Sequence, residues 1–349
     1  MRCTGTLPSP SQPRVRSALV AFVVAAALAL SGTARAADPT PPSSFPKLAE
    51  MLRSVVKVRA FALPDADSAK RLGTERTGNG IVVGPGGLIV TIGYLITESM
   101  SVEIVDERGR TRAASVVGYD AETGLGLLRA PALSALPSLP LGNSTGLKSD
   151  TPVAVAAAGG PQDTIPAVVV SRRPFAGSWE YLLESAIYTA PAHPDWSGAA
   201  LISTDGKLLG IGELLTAQAR RDGEKLTGNV FVPVDLLRPL LAEIAETGKV
   251  TPRPHPWLGL NATAHPGGLV IGRLSARSPA HAAGLERGDL VTAVGGHPVD
   301  DLADSYRRMW AMGSPGIDVP LTVMRNGRSF SVKVRSASRY QFLAKEKTY

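Results

Sequence analysis

The sequence predicts a mainly β chain built as two successive folded units, and three observations predict it. Short apolar runs alternate with turn signals along most of its length. The 349 residues include 36 Gly and 28 Pro but only 5% aromatics, a turn-rich composition. A proline-stiffened stretch, Thr247-Gly-Lys-Val-Thr-Pro-Arg-Pro-His-Pro256, separates a long first unit from a shorter second one. At 44% hydrophobic and 19% charged the chain can bury a core, which excludes wholesale disorder.

Taken in order, residues 1–36 read as a signal peptide. Arg14 and Arg16 precede a thirteen-residue apolar run, Ala18–Leu30, too short for a membrane span of roughly 18 residues or more. Ala34-Arg35-Ala36 then supplies a small-x-small cleavage pattern. The leader carries four arginines and no acid, so its removal lowers the net charge from +7 to +3 and excludes a nucleic-acid partner. Cys3, the only cysteine, leaves with it, so the mature chain has neither a disulfide nor a thiol nucleophile. Residues 37–46 form a Pro/Ser-rich lead-in.

The elements follow. Lys47–Arg53 is helix-like, and Ser54-Val-Val-Lys-Val-Arg-Ala60 is a strand. Ile81–Val83 and Leu88–Val90 flank Gly84-Pro-Gly-Gly87 as a hairpin, and Val102–Val105 begins another at Glu107-Arg-Gly109. Leu201–Thr204 and Lys207–Ile211 pair across Asp205-Gly206. Many short strands at near-regular spacing argue for a barrel or sandwich, closed by a helix over Val234–Glu246. The second unit reads as strands 257–260 and 268–274, a short helix from Ser278, strand 290–294 and a helix from Asp301. A hairpin then turns at Asn326-Gly327, with Val319, Leu321 and Val323 on the same face as Phe330, Val332 and Val334. No pattern marks the tail after Arg339. No metal-ligand spacing or nucleotide fingerprint occurs; Gly84–Gly87 precedes no helix and so is not a phosphate loop.

Gly78-Asn-Gly-Ile-Val-Val, Val116-Val-Gly-Tyr-Asp, His193-Pro-Asp-Trp-Ser-Gly and Ala283-Gly-Leu-Glu-Arg-Gly-Asp, in this order and spacing over residues 47–335, together resemble the HtrA/Deg periplasmic serine proteases. Gly78-Asn-Gly-Ile-Val-Val is similar to that family's G-x-G-F-I-I hairpin. Val116-Val-Gly-Tyr-Asp and Leu136-Pro-Ser-Leu-Pro-Leu-Gly-Asn-Ser144 match the stretches around and after its acidic triad position, and His193-Pro-Asp-Trp-Ser-Gly-Ala-Ala-Leu201 stands at N-P-G-N-S-G-G-P-L. Ala283-Gly-Leu-Glu-Arg-Gly-Asp-Leu-Val-Thr-Ala-Val294 resembles a PDZ signature. The resemblance implies a trypsin-like double β-barrel at 47–250, a linker at 251–256, a C-terminal α+β PDZ domain at 257–338 and a tail at 339–349. It also implies a periplasmic location, no cofactor and no metal, and a possible trimer.

At the catalytic positions the resemblance breaks. T-N-N-H-V-V is Thr91-Ile-Gly-Tyr-Leu-Ile96, placing Tyr94 at the histidine; T-D-L-A-L-L is Thr123-Gly-Leu-Gly-Leu-Leu128, placing Gly124 at the aspartate. Ser197 alone is kept, and a serine hydroxyl needs a positioned base that a phenol of pKa about 10 does not replace. The five histidines are His193, His255, His265, His281 and His297, so the first barrel has no imidazole. His193 is expected as a solvent-facing loop residue, and no spacing argues for a Ser–Lys dyad with Lys57, Lys70 or Lys148. Asp195 stands where the oxyanion loop normally has Gly, and loss of one oxyanion donor costs about 10²–10³ in rate. Trp196 either fills a side-chain pocket or packs at its rim. Ser197 is read as a vestigial nucleophile.

The PDZ-like unit keeps more. Trp257-Leu-Gly-Leu260 matches a carboxylate-binding loop, whose N–H groups would cradle a peptide C-terminus, with apolar side chains on Leu302, Tyr306 or Met309. The expected function is a non-catalytic pseudoprotease that binds peptides or unfolded-protein C-termini as chaperone, adaptor or regulator of an active protease of the same family. The alternative is a serine endopeptidase of periplasmic quality control acting through Ser197.

Overall fold

A computed structural model describes residues 45–343, all within one compact unit; the expected signal peptide and nearly all of the lead-in lie outside the described residues. Helix α1 (Phe45–Leu52) leads into β1 (Val55–Ala62). In β1 the alternation Val56, Val58, Ala60, Ala62 points inward and Lys57 outward, the period-2 pattern of a half-buried strand. With β2 (Glu75–Gly84), β3 (Leu88–Ile92), β4 (Ser99–Val105), β5 (Thr111–Tyr119) and β6 (Leu125–Arg129) it closes an antiparallel barrel in the order β1-β2-β3-β6-β5-β4. Short helices α2 (Ala69–Leu72) and α3 (Gly93–Ile96) interrupt the connections. Every residue of β3 is buried, and α3 follows it directly, so Tyr94 is held at a rigid barrel end.

A second closed barrel has the order β10-β11-β12-β9-β8-β7. It comprises β7 (Pro152–Ala156), β8 (Thr164–Gly177), β9 (Tyr181–Ala190), β10 (Ala200–Ser203), β11 (Leu208–Arg221) and β12 (Glu224–Pro233). Helix α4 (Leu237–Thr247) seals it with Leu237, Leu240 and Ile244.

The expected linker is tied down rather than free. Glu243 accepts from the Thr251 amide at 2.8 Å and from Arg253 at 2.7 Å. His255 reaches Glu122 at 3.2 Å and stacks on Trp310 at 4.4 Å between ring centres.

The PDZ unit contains β13 (Pro256–Trp257), β14 (Leu260–His265), β15 (Gly268–Leu274), α5 (Pro279–Ala282), β16 (Leu290–Val294), β17 (His297–Pro298), α6 (Leu302–Ala311), β18 (Asp318–Arg325), β19 (Arg328–Arg335) and β20 (Ala337–Ser338). Its main sheet runs β14-β15-β16-β18-β19. Ser278 and Asp301 cap α5 and α6 through their side chains, which is why those helices begin where the sequence places them. Three readings change. The single strand expected at 257–260 is broken by Gly259, whose φ of +81° turns the backbone out of register between β13 and β14. The facing rows of β18 and β19 pair as expected, but Phe330 is 37% exposed, because the ladder runs outward from Val319–Val334 toward the hairpin tip. The tail, for which no pattern is expected, begins with a 3-10 turn at Arg339–Gln341, directly after Ala337 and Ser338 pair with Trp257 and Pro256.

Candidate functional site

The Tyr94 hydroxyl lies 2.7 Å from Ser197 Oγ and 3.2 Å from the Glu213 carbonyl oxygen. It has one proton to donate and is the hydrogen-bond partner of Ser197 Oγ among the described residues. Burial, with a smaller push from the Glu213 charge, raises the phenol well above its ordinary value; the Ser197 hydrogen bond opposes this. At neutral pH it is therefore a donor, unable to accept the serine proton. None of the three lysines substitutes, since Lys57, Lys70 and Lys148 are all exposed and Lys70 pairs with Asp67 at 2.8 Å.

At the aspartate position, Gly124 has φ +76°, and a Cβ there would stand 2.7 Å from the Tyr181 hydroxyl. That hydroxyl donates to the Thr123 carbonyl at 2.7 Å. The space that a side chain at position 124 would enter is thus filled by a residue from the other barrel.

His193 corrects the expectation of a solvent-facing ring. It is 3% exposed. Its amide donates to Asn229 Oδ1, its Nδ1 accepts from the Asp195 amide at 3.0 Å, and its Nε2 lies 3.2 Å from the Asp163 carbonyl. Both ring nitrogens are committed away from Ser197. The same contact consumes the Asp195 N–H, the group that would serve as an oxyanion donor; the Asp195 φ is not in the left-handed region and its side chain is exposed. Trp196 is half-buried, tilted against Tyr94 with ring centres 6.3 Å apart, and lines the cavity beside it.

Asn79, from β2, was not singled out in the sequence. Its Nδ2 donates to the Asp195 and Ser197 carbonyls, and its Oδ1 accepts from the Ala158 amide at 2.7 Å. It clamps the serine loop to the first barrel. Replacing Asn79 with Ala should lower the melting temperature by several degrees, through loss of about 1 kcal/mol per buried hydrogen bond. An unchanged thermal melt would count against the clamp.

The structure brings together five of the residues expected to form a peptide groove. Leu258, Leu260, Leu302, Tyr306 and Met309 line one small apolar cavity of about 30 Å³ in the PDZ unit, and Trp257 packs beside the loop on Phe342. Yet the loop is already engaged. Glu180, at the tip of the β8–β9 hairpin, accepts from the amides of Leu258 (2.8 Å), Gly259 (2.7 Å) and Leu260 (3.2 Å). The Ala262 amide donates to the Ser178 carbonyl, and the Tyr306 hydroxyl donates to the Gly177 carbonyl at 2.8 Å. Leu182 enters the PDZ core, and Arg307 forks onto Glu184 at 2.8 and 2.5 Å. The chain therefore lays its own hairpin where a peptide would lie, with Glu180 in place of a terminal carboxylate. A lone acid in a turn gave no sequence signal for this.

Gly259 also proves a poor place to block the loop. A Cβ there would meet Ser278 Cβ at 2.2 Å, so Gly259→Val disrupts the local fold rather than merely obstructing a ligand.

Two buried acids give the site a pH signature. Burial raises Glu213 to about 8. Burial likewise raises Glu180 to about 7, against the pull of its three amide donors and of Arg339. Both start from 4.5, so between pH 4.5 and about 8 the folded chain binds more protons than the unfolded one, and stability falls as pH rises through that window. The melting temperature should be higher near pH 5 than near pH 8.5, and Glu213→Gln should flatten the slope. A melting temperature that rises across the window would contradict the assignment.

Among the described residues no cluster of potential metal ligands occurs, and no helix is long and apolar enough to cross a membrane. The trypsin-like peptidase domain family matches residues 78–211 and the PDZ domain family residues 256–335. The serine protease Do-like HtrA of Lactobacillus helveticus is 28% identical over 78% of this chain and 71% of its own. Serine endoprotease DegS of Escherichia coli is 26% identical over 85% of this chain and 86% of its own. The solved HtrA-type protease AlgW with decapeptide superposes with a TM-score of 0.51 at 20% identity, covering 85% of this chain and 99% of that one, a likeness of fold. The chain thus carries a trypsin-like peptidase domain followed by a PDZ domain, and in sequence, domain order and fold it is similar to the HtrA-type proteins.

Proposed function

We propose that this chain is an exported, periplasmic HtrA-type pseudoprotease that binds peptides or unfolded-protein C-termini through its PDZ domain. It would act as chaperone, adaptor or regulator of an active relative, alone or in a trimer. One observation carries the reading: the Ser197 hydroxyl is partnered by the half-buried phenol of Tyr94, with no imidazole beside it. The engaged Asp195 amide and the filled space at Gly124 support it independently. The names of the relatives favour the second reading, a serine endopeptidase through Ser197. A fluorophosphonate probe separates the two, because labelling requires an activated hydroxyl. The expected result is no labelling of the purified protein and no casein turnover; labelling abolished by Ser197→Ala would establish the enzyme instead.

A further inference from the structure

A second cavity, about 580 Å³, opens beside Tyr94 between the barrels and the PDZ unit. That is ample for a small-molecule ligand. Seven aromatic side chains line it among the described residues, including Trp179 and Tyr181, stacked 5.8 Å apart at 11°, and Trp196, Trp257 and Phe342. Its two ends differ in charge. At the closed end stands Glu213, 4% exposed, whose Oε2 is buried without a hydrogen-bond partner. Buried polar atoms are nearly always satisfied, so such an orphan within a cavity points to a group that completes it. At the solvent end are Arg71, Arg273 and Arg339, none of which forms an ion pair among the described residues, beside Glu98 and the Lys70–Asp67 pair, which also line the cavity. Burial lowers the Arg71 pKa, and the neighbouring charges of Arg273, Arg339 and Arg76 lower it further, the mark of crowded cations awaiting an anion.

We propose that this cavity binds a small amphipathic carboxylate, its anion on Arg71, Arg273 and Arg339, its apolar body between the tryptophans, and a hydroxyl at its far end on Glu213. The complementarity is threefold. Guanidinium forks match a carboxylate, flat aromatic walls match a methylene chain or ring, and a hydroxyl, which both donates and accepts, gives Glu213 Oε2 a partner whether the acid is protonated or ionised. A simple fatty acid satisfies the first two features only, and an alcohol only the last two. This inference goes beyond the peptide-binding reading and stands whether or not Ser197 is inert.

Three of the four tryptophans line the cavity, so intrinsic fluorescence reports its occupancy directly. The mature protein is titrated with 10-hydroxydecanoate, decanoate and 1,10-decanediol, with calorimetry in parallel. Saturable binding of the hydroxy acid is expected, with the diol at least about tenfold weaker. In an Arg273→Ala, Arg339→Ala double variant whose thermal melt shows it folded, the advantage of the acid over the diol should vanish. In Glu213→Leu the advantage of the hydroxy acid over decanoate should vanish while decanoate still binds. Equal affinity for acid and diol in the parent protein overturns the proposal. So does the absence of saturable binding of all three up to ~1 mM with an intact thermal melt. Saturation of the cavity by an apolar-ended peptide acid, with none of the three small molecules bound, would likewise overturn it and return the site to peptide recognition.

Discussion

Glu180→Ala should raise the affinity of the PDZ groove for an apolar-ended peptide acid by about ten- to a hundredfold. In the parent protein the peptide must displace a carboxylate that already satisfies three amides, and a charge-assisted hydrogen bond contributes roughly 1.5–3 kcal/mol. The competition is intramolecular, so the hairpin acts at a high effective concentration and only part of the peptide's gross binding energy shows. Two features keep the contact from being tighter still. Glu180 holds φ +60°, a left-handed conformation disfavoured for a residue with a Cβ, and its burial disfavours the charged form. In the variant the three amides lose their acceptor, so the melting temperature should fall by several degrees without peptide and recover when peptide is added. Amidating the peptide should abolish the gain, because the freed N–H groups then meet no anion. Trp179, next to Glu180 in the hairpin, gives a fluorescence readout for its release. Equal peptide affinity in the two proteins would show that Glu180 is not the competitor, whatever the groove binds.

Much of this architecture was legible because local patterns encode it. The alternation in Val55–Ala62, the Asp205-Gly206 and Asn326-Gly327 turns, and the caps at Ser278 and Asp301 each depend on neighbours within a few residues. The expected triad positions are read the same way, since Tyr94 and Gly124 sit in segments that resemble the family's, and the fold brings Tyr94 onto Ser197. The rest depends on pairings at long range that carry no period. His193 is buried because Asn229 and Asp163, 36 and 30 residues away, take its amide and ring nitrogen. Glu180 reads as an ordinary turn acid until the PDZ amides 78–80 residues later close on it. Glu213 lies within a strand, and only the closed barrels reveal that its carboxyl has been left unpaired. Polar groups whose partners come from other domains are the part of a site that sequence patterns convey least.

Restoring the triad by Tyr94→His with Gly124→Asp should not restore proteolysis, and the geometry says why each repair fails. The imidazole at 94 is the easier half, since α3 already aims that side chain at Ser197. The aspartate is not. At φ +76° a Cβ is strained wherever it points, and at Gly124 it points at the Tyr181 hydroxyl 2.7 Å away. Tyr181 is 2% exposed and stacked on Trp179, so it cannot swing aside without disturbing the hairpin that carries Glu180. The double variant should therefore melt lower than the parent by several degrees and hold any new carboxylate out of position. An unoriented histidine is a weak base toward serine, a defect of about 10⁴ in kcat where the orienting acid alone is missing. The oxyanion loop adds its own about 10²–10³, because the Asp195 amide remains turned onto His193. Fluorophosphonate labelling and casein hydrolysis by the double variant should both stay at background. Adding Tyr181→Phe removes the clashing hydroxyl, and adding His193→Asn frees the Asp195 amide from the ring; only with both should slow labelling emerge. Vigorous turnover by the double variant alone would mean that the loop and the filled aspartate site yield easily, and that Tyr94 is the whole of what silences Ser197.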